Sequence, residues 1–216
     1  MKKNLLKILM VLPSLFIWQG ASGQYCGGGP SYTGDSNIES VNITGENGTS
    51  ISYTGCPGVS GVEDETSQTV DLTAGNVYTL DVLFGTCGGN YGGAGEAWID
   101  YNQNQIFEAS ESVGTSSGTP NAGPWSSAVS FVFTASVSSS PGVTRIRVMQ
   151  EEGFNPAPLD PCGSFTWGSV VDFSADITVP TFTCPFPSNL VASAITSTGA
   201  VIDWTENGTA TTWNIE

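Results

Sequence analysis

The chain has 216 residues, of which 20 are acidic, 5 basic and none histidine, so its formal charge is -15. Phosphate binding needs clustered Lys and Arg, which excludes nucleic acid as a partner and disfavours an anionic membrane surface. The lack of histidine removes Ser-His-Asp and Cys-His catalysis, whereas divalent cations and uncharged ligands suit an acidic surface.

Lys2 and Lys3, the apolar stretch Leu5 to Trp18 and the small residues Ala21-Ser22-Gly23 predict a secretory signal peptide over 1–23, leaving Gln24 first. Lys7, Pro13 and Ser14 interrupt that stretch, which is shorter than the roughly 20 residues of a membrane span. No span is therefore expected after cleavage. Losing three lysines takes the charge from -15 to -18 and leaves Arg145 and Arg147 as the only basic residues. No lysine base survives either. The one enzymatic route left is a carboxylate pair of the glycosidase kind, drawn from Glu96, Asp100, Glu108, Glu111 and Asp172, and no spacing among them singles out an acid and a base. No catalytic residue is expected.

Export makes disulfides the default for Cys26, Cys56, Cys87 and Cys162, while Cys184 would await a partner outside the chain. Cys87 with Cys162 would staple one loop rim and Cys26 with Cys56 would fix the N-terminal segment. Four cysteines allow three pairings, so the connectivity stays open. Without histidine or a close Cys pair, zinc is not expected.

About eight short β-type segments follow, near Ile38 to Ile43, Thr49 to Tyr53, Gln68 to Leu72, Val77 to Phe84, Glu96 to Asp100, Ala128 to Thr134, Val143 to Gln150 and Val170 to Val179. Alternation is clear in the fourth, where Tyr78, Leu80, Val82 and Phe84 share one face. No long stretch has a helical period. The chain is expected to be all-β, a jelly-roll-like antiparallel β-sandwich over 24–180. The Gly-rich stretches Cys87 to Gly95, Val113 to Pro124 and Gly153 to Gly168 read as loops. Pro180, Pro185 and Pro187 mark a linker over 181–187. Leu190 to Ile195, Ala200 to Trp204 and a start at Trp213 then read as part of a second sandwich over 188–216.

Asp100 to Glu111 fits the twelve-residue calcium-loop pattern. Asp100, Asn102, Asn104, Glu108 and Glu111 occupy positions 1, 3, 5, 9 and 12, and the Ile106 carbonyl falls at position 7. Three carboxylates would attract a divalent ion, so calcium is the expected cofactor. Gln105 stands at position 6, where Gly usually permits the sharp turn, and no helices flank the loop. Arg145 and Arg147, two apart on a strand, share a face and are expected to pair with carboxylates such as Asp172 or Glu96. Trp98 reads as core. Trp125 and Trp167, in Gly/Pro-rich loops, are the candidates for stacking against a ligand.

Five landmarks occur in order: Tyr25-Cys26, Ala97 through Gln103, Gly142 through Val148, Pro161-Cys162-Gly163, and Gly168 through Phe173. With them Asn37 to Val179 resembles the GEVED domain of secreted proteins from Bacteroidetes-type bacteria, although Ser169 and Val171 replace two acidic residues and Phe173 replaces Tyr. Cys184-Pro185 through Trp213 resembles the start of a fibronectin type III domain, here truncated. The resemblance implies a non-catalytic accessory or adhesion module, secreted or at the cell surface, accompanied by other domains of a longer chain, one of which could be a peptidase or glycan-active domain. Its partners would be polysaccharide or extracellular protein. The alternatives are a carbohydrate-binding module or a glycan-cleaving enzyme.

Overall fold

The computed structural model describes residues 24–32, 34–153, 158–181 and 186–208. The expected signal peptide, Cys184 and Trp213 lie outside them. Ten strands make up the first unit: β1 (Gly29–Tyr32), β2 (Asn37–Thr44), β3 (Ser50–Thr54), β4 (Val62–Thr73), β5 (Val77–Gly85), β6 (Gly93–Ile99), β7 (Ser112–Gly118), β8 (Val129–Thr134), β9 (Gly142–Glu152) and β10 (Ser164–Thr178). Beyond them β11 (Ser188–Ser193) and β12 (Val201–Thr205) form an antiparallel hairpin. The described residues contain short 3-10 turns and no α-helix, as the sequence predicts.

One sheet is antiparallel in the order β3-β2-β5-β8. The other runs β1-β10-β9-β6-β7, with β4 also paired to β10. The expected all-β, largely antiparallel sandwich is found, with two parallel pairings added to it. β1 and β4 both lie parallel to β10, along its first part and its remainder respectively. Parallel partners arrive by long crossovers, which no local turn signal announces.

The two sheets close on a core of alternating side chains. Val41, Leu80, Val82 and Phe84 from the smaller sheet meet Ile99, Ile146, Val148 and Phe173 from the larger. Close approach is permitted by missing side chains: a Cβ on Gly95 would collide with the Phe84 ring, and one on Gly114 with Phe131. The larger sheet also buries part of its outer face. Ala94, Trp98, Phe107, Met149, Leu159 and Val170 form a second, smaller core there, joined by Tyr25. That is why β6 is buried along its whole length instead of alternating.

The disulfides join Cys26 to Cys162 and Cys56 to Cys87. This corrects the pairing considered from sequence. β1 runs beside the start of β10, which brings Cys26 to the Cys162 turn, and the ends of β3 and β5 lie on the same rim through their common neighbour β2.

Candidate calcium loop and the outer face of the sheet

β6 carries the candidate loop at its C-terminal end, and the loop returns through a 3-10 turn (Ala109–Glu111) into β7. Polar side chains fold inward onto the backbone. Asp100 accepts the amides of Asn104 (3.2 Å) and Gln105 (3.0 Å) and the Tyr25 hydroxyl (2.6 Å). Asn102 and Asn104 each accept the amide two residues on, at 2.9 and 2.8 Å. Glu111 accepts the amides of Asn102 (3.2 Å) and Glu108 (3.1 Å). Gln105, at the position where Gly is usual, has φ +69°. A non-Gly residue therefore adopts the left-handed turn, held by the Asp100 carboxylate on its own amide.

Asp100 is 0% exposed and Glu111 4%. Burial pushes the Glu111 carboxyl up, reinforced by the charges of Asp100 and Glu108, against the pull of two backbone amides. Burial and the Asp100 hydrogen bond raise the Tyr25 hydroxyl to about 12. Among the described residues the ion pairs are Arg145–Asp172 and Arg147–Asp172, and none of the described cations pairs with Asp100, Glu108 or Glu111. The ligand set predicted from sequence comes together only in part. Asn102 and Asn104 turn their amide nitrogens to Glu108, both at 2.7 Å. The described residues hold no group of three Asp, Glu, Cys or His arranged around one metal position. The Ile106 amide donates to Asn104 and its side chain is exposed.

Beside the loop, the outer face carries a row across four strands: Asp64, Asp172, Arg147 and Trp98 are register partners. Arg147, 1% exposed, donates to both oxygens of Asp172 at 2.7 and 2.9 Å and to the Pro161 carbonyl at 2.7 Å. Arg145 reaches the same Asp172 at 3.1 Å. The expected pairing of the arginines thus falls on Asp172 and not on Glu96. Glu96 instead accepts the Ser112 hydroxyl (2.6 Å) and the Leu159 amide (2.8 Å). Phe107 of the loop packs between Tyr25 (5.3 Å) and Trp98 (6.5 Å), under the Arg147 guanidinium at 4.9 Å. Sequence reasoning does not single out Phe107. Its one signal is an apolar ring in a loop rich in Asn, Gln and Glu.

Of the two tryptophans expected to stack on a ligand, Trp125 is 1% exposed, lies on Phe84 at 4.9 Å and donates to Ser116. Both faces of its ring are enclosed, so that expectation is corrected. Trp167 is 44% exposed, in register with the exposed Tyr32. Trp98 is core, as expected.

Residues 95–176 match the GEVED domain model. The match runs from β6 into β10 and takes in the loop, both arginines and Asp172, and a domain of this kind indicates an accessory module of a larger protein. No curated protein matches the chain.

Proposed function

We propose that the chain is a non-catalytic accessory module of a larger exported protein, whose Asp100–Glu111 loop is held in shape by calcium. The observation behind this reading is the charge of the loop: three carboxylates, two of them buried, face only neutral donors. Asp100, Glu108 and Glu111 would have to draw together to hold the ion, with Asn102, Asn104 and the Ile106 carbonyl completing the oxygens. Calcium would supply rigidity, fixing the Phe107 anchor on the sheet. Two disulfides suit an extracellular setting, and no helix among the described residues is long and apolar enough to cross a membrane. The β11–β12 hairpin is read as the start of a fibronectin type III neighbour. Other domains of the same chain are the nearest partners.

Melting the full chain in calcium and in chelator tests the reading. Calcium at about 100 times its Kd should raise Tm by about 5–10 °C. Glu111→Gln should abolish most of that rise, and magnesium should not reproduce it. Gln105→Gly should keep it, because Gly adopts φ +69° without strain. A Tm indifferent to calcium and chelator would sink the proposal.

A further inference from the structure

An open polar groove of about 580 Å³ lies between the candidate loop and the outer face of β9, lined by Tyr25, Asp64, Gln103, Gln105, Val143 and Arg145. Gln24 stands at its rim. Its lining comes from four separate parts of the chain, and several of its groups have bonding capacity left over. Arg145 has a side chain 29% exposed and, among the described residues, uses its guanidinium on Asp172 alone, lying over the Tyr25 ring at 4.5 Å. Asp64 accepts the Thr66 hydroxyl (2.6 Å) and amide (3.1 Å) on one oxygen; the other has no protein donor among the described residues. Those two Thr66 bonds, with Arg145 nearby, hold the Asp64 carboxyl below the usual carboxylate range, so it is an acceptor at neutral pH. Gln103 donates to the carbonyls of Ser140 and Gly142, which leaves its own carbonyl oxygen without a described donor. The Gln105 side-chain oxygen is enclosed and unpartnered.

We infer that this groove is a binding site for an uncharged, polyhydroxylated ligand, a neutral saccharide. A guanidinium near a carboxylate offers together the donors and acceptors that sugar hydroxyls pair with, and the free carbonyl oxygen of Gln103 extends the pattern. Charged ligands fit less well. An anion meets Asp64 and the acidic surface, and a cation meets Arg145. On β9 the edge toward β10 is closed to a peptide adding as a strand, since Val143 and Arg145 are already in register with Asp176 and Ser174. The inference gives a ligand class to the accessory module, and it stands on the groove residues whether or not the loop takes calcium.

Isothermal titration of the full, disulfide-bonded chain with cellohexaose, xylohexaose, mannohexaose and laminarihexaose, each in calcium and in chelator, tests it. At least one should bind, and Asp64→Asn and Arg145→Gln should each weaken that binding by at least about tenfold, as expected for losing a charge-assisted hydrogen bond. Trp167→Ala should leave it unchanged. Asp64 is exposed, so its variant keeps the fold and decides the matter if Arg145→Gln unfolds. No heat from any of the four, or affinity untouched by Asp64→Asn, or loss on Trp167→Ala instead, would overturn the site. Binding that persists in chelator supports the groove and leaves the calcium reading to the melting experiment.

Discussion

Arg147→Met should lower stability by about 3–5 kcal/mol, because it leaves the buried Asp172 carboxylate without its two-pronged partner. Arg145 remains on one oxygen of Asp172, 3.1 Å away, but approaches from the more exposed side. The Pro161 carbonyl loses its donor as well. Thermal denaturation should show a fall of about 10 °C or more. Methionine keeps most of the packing against Phe107, so the loss reports charge more than volume. The double variant Arg147→Met/Asp172→Leu should recover part of it, since no buried carboxylate is then left unpaired, although the Pro161 carbonyl still lacks its donor and Arg145 its partner. A single variant as stable as the parent would show that the pair is peripheral to the fold.

Opening the Cys26–Cys162 bridge with paired serine substitutions should cost about 5 kcal/mol, judged by the loop entropy of a 136-residue separation. The Cys56–Cys87 bridge, 31 residues apart, should cost about 4 kcal/mol on the same basis. The larger effect has a local component too. Cys26 tethers Tyr25, whose hydroxyl lies on Asp100, so the Cys26→Ser/Cys162→Ser variant should also show a smaller calcium-induced rise in Tm. Urea midpoints with and without calcium measure both effects. A variant lacking Cys26–Cys162 that matches the parent would refute the assignment of this bridge as the main staple.

Strands with a period of two and firm turn signals are legible from the residues alone. β5 shows Tyr78, Leu80, Val82 and Phe84 buried on one face, as its alternation predicts. β7 has the composition of a loop, because Ser112–Gly118 is rich in Ser and Gly, with Val113 its only aliphatic side chain. It is an edge strand defined by pairing with β6 and by Gly114 passing under Phe131, a property of the partners and not of its own composition. β1 escapes sequence reading for a related reason: four residues beginning Gly-Pro become a strand only because the far end of the chain supplies β10. β10 itself starts six residues before its predicted beginning, in a stretch whose Gly168 suggests a loop. At the candidate loop, ligand spacing is visible in the sequence while its anchoring is not. Tyr25 lies 75 residues from Asp100 along the chain, and only the fold joins them.

The position of β10 also governs when this molecule can fold. Gly29 is matched to Ser164 and Val62 to Val170, so the larger sheet lacks its organising strand until almost the whole unit has been synthesised. Hairpins such as β2–β3 are available early, but the parallel pairs carry a high loop-closure cost and form slowly. A chain of this topology stays open while its N-terminal part emerges and closes only when its last long strand arrives.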